Sequence, residues 1–584
     1  MPLDLPLEED ADADTSFDVT SQTPLVSSYN KSHNNNNPDA IESSPSSPFT
    51  SKLEILGWCL YAWASEPFIV SAVGTYVPII LEQIARDNGV KNSDKISPCK
   101  GSRNEPVPRP PPPGFQLTNS NTTESVSCVL PVLNGKIYID TSSYALYTFS
   151  FSVLVQTICV ISMSGAADRG SHRKSLLIGF AIFGALTTIC YWFVRPDGYY
   201  MASFLAIVAN SAYGCVSVCG NSFLSVLVNN SAEIRQLTED SSDRSSKWGV
   251  LSSKISGAGA ASGYVAALIV QVGTMFMLIL IKNKTNVSSI MGPIKTVIGF
   301  VGLWWLVFQV PVSTFLKPRA SPDLNLDNLH MPAVGESKYW LRMAHYKWKV
   351  VRAYVLQGYK TLVLAFKQAS QLRDISFFLL GWFIVSDSLT TINSTAILFA
   401  KSDLQMTTIQ LSRISILAMI SAVCGSIIIP NYIQPRFNVD VKTMLIFIIL
   451  WSVMIPFYGI LGFYFKRFGL HHSEEMYLLA IWYGFSLGGV ATVSRSIYSM
   501  LIPTGQESVF FALFSITDKG SSILGPLLVG VVIDMTHNIR QCFWVLLALL
   551  LVSIPVLWYG VDINRGMREA TALSEDSPTE ERSP

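Results

Sequence analysis

A chain of 584 residues with 49% hydrophobic residues, only 14% charged residues and a mean hydropathy of +0.36 would expose more apolar surface than water tolerates. That excludes an ordinary soluble enzyme and makes a bilayer the natural solvent. A formal net charge of +1 supplies no field to hold nucleic acid, so that partner class is excluded too.

Residues 1–52 begin acidic and turn rich in Ser, Asn and Pro, a composition that buries too little apolar surface to order itself. They read as a disordered cytosolic tail. No apolar run of a cleaved signal precedes the first span, which is expected to anchor the chain itself. The first half, residues 53–316, then holds six stretches of about the 20 apolar residues needed to cross about 30 Å of hydrocarbon: 56–81, 144–163, 176–194, 199–218, 250–272 and 291–315. The apolar run after Gly249 continues to Ile281, which predicts a tilted helix or one kinked near Gly263 in preference to an extra crossing.

Between the first two spans lies a long loop, about 86–139, expected in the lumen, with a Pro-rich run at 106–113 suited to an extended excursion. Cys99 and Cys128 lie in it, outside the spans and on the oxidising side, which permits a disulfide. The other seven cysteines fall in or beside spans, and none has metal-site spacing.

Residues 317–375 carry Lys338, Arg342, Lys347, Lys349, Arg352, Lys360, Lys367 and Arg373 among aromatic and aliphatic residues. They read as a basic cytosolic linker, within which 339–368 suits either a solvated connecting helix or an amphipathic helix on the anionic leaflet. The second half, 376–560, repeats the pattern with spans at 377–399, 409–429, 444–465, 476–492, 510–533 and 543–559, before a polar tail at 561–584. Basic residues gather on the side of Arg169, Arg173 and Lys174, and an even number of crossings puts the Arg235–Lys247 loop, the linker and both termini there, in the cytosol. The sequons at Asn121, Asn283, Asn286 and Asn393 fall on or near the luminal side and are the expected glycosylation sites, whereas the one at Asn229 is cytosolic and expected to stay unused.

An internal duplication points to two pseudo-symmetric six-helix halves, twelve transmembrane helices in all. Tyr213-Gly214 opens a small-residue span followed by Lys254 in the next, and Tyr483-Gly484 does the same before Asp518 and Lys519. Gly57-Trp58 precedes Glu66 in the first span, as Gly381-Trp382 precedes Asp387 in the seventh. Ionisable groups inside a bilayer are costly enough to mark a cavity or a partner, which makes Glu66, Asp387, Lys254, Asp518 and Lys519 the candidate pathway residues. Lys254 or Lys519 could hold a carboxylate, and Glu66 or Asp387 could hold an ammonium or exchange a coupled proton. Asp518 could equally do no more than pair with a neighbouring lysine. Arg495 reads as an interfacial anchor. No catalytic grouping, phosphate loop or metal motif is present, so the chain is expected to be neither an enzyme nor cofactor-dependent.

The loop GAADRGSHRK at Gly165–Lys174 resembles the cytosolic loop motif of the major facilitator superfamily, with a one-position departure at Gly165 and at Gly170. That resemblance implies that Asp168, Arg169, Arg173 and Lys174 lock neighbouring helices on the cytosolic side. The segments 57–90 (GWCLYAWASEPFIVSAVGTYVPIILEQIARDNGV) and 220–228 (GNSFLSVLV), with the long first loop, resemble the autophagy-related amino-acid effluxers of fungal vacuoles, a similarity running from about 57 to 559. It implies alternating-access export of leucine and other neutral amino acids from the vacuole, with proton coupling as an option. Two other readings stay open at this point: a transporter of another small solute, and a non-transporting membrane receptor in autophagy.

Overall fold

The computed structural model describes residues 48–91, 95–99, 128–132, 135–169, 171–236, 242–285, 291–319, 339–404, 406, 408–465, 467–521, 524–536 and 538–580. Helix α1 (Lys52–Pro67) passes through a nine-residue π-helical stretch, Phe68–Tyr76, into α2 (Val77–Asp87), and the three form one span. Then come α3 (Thr141–Ala167), α4 (His172–Ile189), α5 (Tyr199–Asn229), the short α6 (Ala232–Arg235), α7 (Ser242–Thr285), and α8 (Met291–Val307) with α9 (Gln309–Phe315). The linker contains α10 (Tyr339–Gln371). The second half is α11 (Arg373–Ser402), α12 (Thr408–Ile428), α13 (Gln434–Phe437), α14 (Val441–Leu461), α15 (Ser473–Leu501), α16 (Glu507–Ser521), α17 (Leu524–Thr536) and α18 (Cys542–Gly560), followed by α19 (Ile563–Glu580).

Among the described residues, eleven helices are long and apolar enough to cross a membrane. The exception among the twelve predicted segments is 510–533, where the described residues give α16 and α17, of 15 and 13 residues, on either side of residues 522–523, which lie outside the described residues. The apolar run past Gly249 makes no extra crossing, since α7 is one helix of 44 residues. Several helices outrun their predicted ends because polar residues there are satisfied by packing. The indole N–H of Trp58, for instance, donates to the Gly220 carbonyl at 2.7 Å, holding the last third of α5 against α1.

On the side where α2 ends and α3 begins, β1 (Val90–Lys91), β2 (Cys128–Val132) and β3 (Ile137–Asp140) form an antiparallel sheet in that order. Cys99 and Cys128 are bonded, with Cα atoms 6.0 Å apart. The Pro-rich run, Asn121 and Asn286 lie outside the described residues. Asn283 falls in the last turn of α7. Asn393 is exposed within α11, nine residues before its end and beside an apolar cavity. The Asn229 amide oxygen accepts the Trp248 indole N–H at 2.6 Å.

Each half is closed by the same device, which the sequence reading did not identify. Glu54, in the first turn of α1 and fully buried, accepts a two-pronged contact from Arg319 beyond α9, at 2.6 and 3.1 Å. Asp374, in the first turn of α11 and equally buried, accepts one from Arg565 in α19, at 2.7 and 2.8 Å. In both cases a planar guanidinium matches a carboxylate fork and ties the first span of a half to the segment that follows its sixth.

Removing one member of a buried pair strands the other charge. Glu54→Ala, which leaves Arg319 only 7% exposed and uncompensated, is expected to cost about 3–5 kcal/mol, read as a lower melting temperature in detergent that Glu54→Ala/Arg319→Met largely restores. Alkylation of the denatured chain without reductant is expected to label seven of its nine cysteines, and all nine after reduction.

Candidate functional site

The two halves meet along small residues on the side of the loop that joins α3 to α4. Ser253 donates to Ser496 at 3.1 Å, Ser256 to the Thr492 carbonyl at 3.0 Å, and the Ser252 and Ser499 hydroxyls lie 3.3 Å apart, so α7 and α15 form a seam. Gly257 packs on the Ser426 carbonyl of α12. Such close approach needs residues with almost no side chain.

Beside the seam is a buried charge cluster. A helix leaves its first backbone N–H groups without intrahelical partners. At the start of α16 two of these, from Ser508 and Val509, donate to the two Asp168 carboxylate oxygens at 2.8 and 2.9 Å. Arg173 then bridges the halves, donating to Asp168 at 2.9 Å and to Glu507 at 2.8 Å, with its guanidinium over the Phe223 ring. Burial pushes the Asp168 carboxyl up to about 6; Arg173 pulls it down, Glu507 pushes it up, and the two N–H groups pull it down. Of the four residues predicted to form this loop lock, Asp168 and Arg173 make it, while Arg169 and Lys174 are half-buried beside it. Glu507 was not predicted; the only sequence signal is an acid at the N-terminus of a helix whose preceding loop shares the Asp168 face.

Directly beyond the seam lies a polar cavity of about 120 Å³. A single water needs about 10–15 Å³ by the same measure, so the space suits a small solute. Glu66 from α1 and Arg495 from α15 face it from opposite halves, with Tyr61, Tyr213, Asn221 and Tyr264 around them. Gly263 lies against the Glu66 side chain, keeping α7 close. The Tyr213 hydroxyl donates to Glu66 at 3.5 Å, and Tyr61 donates to Asn221 at 3.0 Å. No ion pair joins Glu66 and Arg495, and among the described residues Arg495 has no hydrogen-bond partner.

The other predicted pathway residues divide. Lys519 is within electrostatic reach of Glu66, while its ammonium lies 3.9 Å from Asp518, which also accepts from Ser386 at 2.7 Å. Asp387 does not share the cavity with Glu66: it is buried and accepts the Gly525 N–H at 2.8 Å, satisfying an open donor at the start of α17. Lys254 is exposed and does not line the cavity. Arg495, expected to be an interfacial anchor, lines the cavity instead, because α15 runs six residues past it and Ser496 takes the seam.

Arg173→Gln strands Asp168 and Glu507 and is expected to loosen the seam. A cysteine at Ser496 should then react at least about tenfold faster with a thiol reagent, a fraction of the 3–5 kcal/mol at stake in a broken buried pair. Because the closed cluster raises the Asp168 pKa above the roughly 3.9 of a hydrated aspartate, protonation favours closure. Labelling of the wild-type seam should therefore slow as pH falls through about 6 and level off below about 3.9.

Residues 50–571 match the family described as vacuole effluxer Atg22 like. Autophagy-related protein 22 of Pichia angusta is 61% identical over 533 residues, covering 91% of this chain and 95% of that protein. Its namesake in Vanderwaltozyma polyspora is 44% identical over 528 residues, covering 90% and 94%. Among solved structures, the major facilitator superfamily proton:xylose symporter XylE superposes with a TM-score of 0.53 at 12% identity, over 89% of this chain and 97% of that one, a likeness of fold alone. With the family matched over nearly the whole chain and two halves meeting around a central cavity, this protein belongs to the Atg22-like vacuole effluxers and carries the major facilitator fold.

Proposed function

We propose that this transporter moves neutral amino acids, leucine among them, out of the vacuole into the cytosol by alternating access, with the Glu66–Arg495 cavity as the substrate site. The observation that carries the reading is an acid and a cation, donated by opposite halves, facing one cavity without bridging each other. An amino acid carries the complementary pair. Its carboxylate matches the planar fork of Arg495, and its ammonium matches Glu66, whose carboxylate uses little of its accepting capacity on one long bond from Tyr213. Ala62, Ala260 and Gly259 leave room for an apolar side chain.

The seam and the Asp168–Arg173–Glu507 cluster close the face that basic residues mark as cytosolic, so this conformation is the one that loads from the lumen. Arg169 and Lys174 belong to the same gating loop. The vacuolar membrane, cytosolic termini, a twelve-span count and glycans at Asn121, Asn283, Asn286 and Asn393 complete the proposal. Glu66 is also where a coupled proton would ride.

Counterflow of labelled leucine in sealed vesicles tests the site. Arg495→Ala is expected to weaken apparent affinity at least about 30-fold, the effect of deleting one partner of a desolvated charge contact. Glu66→Gln, which keeps size and hydrogen bonding, should insert normally and lose efflux and its response to luminal pH. Isopentylamine, without the carboxylate, and isocaproate, without the ammonium, should each compete poorly in wild type. Competition by either as strong as that of leucine would reject recognition of a zwitterion.

A further inference from the structure

Helix α10 carries six Lys and Arg residues and no Asp or Glu. One face of it is anchored. Gly358 and Gly165 of α3 meet backbone to backbone, so closely that a Cβ on Gly165 would lie 2.5 Å from the Gly358 Cα, and Ala365 is fully buried. This crossing is two residues short of the end of the span Tyr147–Ala167, which at 1.5 Å per residue sets the helix at the level of the membrane interface.

The rest of the helix is patterned. An aromatic residue is followed by a lysine four times, and three of these pairs share a face: Trp348-Lys349, Tyr359-Lys360 and Phe366-Lys367. The intervals of eleven and seven residues return to the same helical face, since eleven residues at 3.6 per turn make about three turns and seven make about two. The aromatics therefore form one stripe and the lysines a second, about 100° around the helix. Trp348, Tyr359 and Phe366 are 64%, 39% and 67% exposed, and all three lysines are exposed.

We propose that α10 docks on the anionic lipid surface of its own membrane, with the Trp348–Tyr359–Phe366 stripe set into the leaflet and Lys349, Lys360 and Lys367 on the headgroups. An exposed aromatic stripe at interface depth is satisfied by the boundary of acyl chains and headgroups, and a neighbouring cationic stripe without any acid selects negative lipid. The opposite, anchored face adjoins the gating loop: Tyr354 of α10, on the side of Gly358 and Ala365, lies against His172, ring centres 5.6 Å apart, one residue from Arg173.

Full-length protein in nanodiscs of phosphatidylcholine alone, or of phosphatidylcholine mixed with phosphatidylserine, tests this by hydrogen exchange over residues 339–371. Exchange is expected to be slower in the anionic discs, by several-fold for each lysine engaged, and to speed up when salt shortens the screening length. Changing the three lysines to glutamine should abolish the difference between lipids, and changing them to arginine should keep it. Equal exchange in the two lipids at low salt would overturn the proposal. So would a lipid dependence that survives the glutamine variant, or equal protection in neutral discs from a soluble polyphosphate, which would identify a soluble anion as the occupant.

Discussion

A charge buried away from water has to be neutralised on the spot, and this constraint organises the molecule. Glu54 with Arg319 and Asp374 with Arg565 each close one half, and Asp168 with Arg173 and Glu507 closes one half against the other. In all three the guanidinium supplies several donors in a fixed plane, so the carboxylates are oriented as well as neutralised. Asp387 meets the same requirement differently, by accepting a backbone N–H at a helix start. Against this background, Glu66 and Arg495 are the pair that the fold leaves apart. A solute bringing both charges would complete them, which is the ground on which we propose the cavity as the binding site.

The duplicated halves have kept the closing device and changed the surroundings of the acid that follows it. Glu54 and Asp374 hold matching places, each in the first turn of the first helix of its half. Glu66 and Asp387 also match in sequence, yet one faces a cavity and the other anchors α17. The divergence goes with a difference in backbone: a π-helical stretch follows Glu66, whereas the α11 helix continues unbroken past Asp387. π-Helical turns are uncommon and collect at functional sites, because the extra residue per turn redirects side chains.

Hydropathy made most of the architecture legible, since each crossing must satisfy its own backbone and therefore appears as a continuous apolar run. The order of helices and the linker helix could be read in this way, whereas Asp168 and Arg173 were singled out only by the resemblance of their loop to a superfamily motif. Helix ends could not, because residues such as Gly220 and Asn221 extend α5 only through partners on α1. Partner choice was the deeper limit. Glu507 lies 334 residues from Arg173, and nothing local distinguishes it from an acid that only caps a helix. Lys254 was singled out because it interrupts a small-residue run, but its side chain faces away from the cavity. Arg495 was passed over for its place near a helix end, although the small residues around it already indicated that α15 packs closely there.

The seam and the charge cluster differ in what opening them would require. Each serine contact contributes only about 0.5–1.5 kcal/mol, and water can replace it as the helices part. Water can also solvate Asp168, Arg173 and Glu507 once they are exposed, so their desolvation penalty is refunded on opening and offsets part of the lost attraction. The cluster is consequently a strong determinant of geometry and a moderate one of free energy. A transporter needs that balance, because its closed and open states must lie within a few kcal/mol of each other for a bound solute to shift the population. Apolar side chains locking the same interface would close it more firmly, and water would not relieve the cost of exposing them.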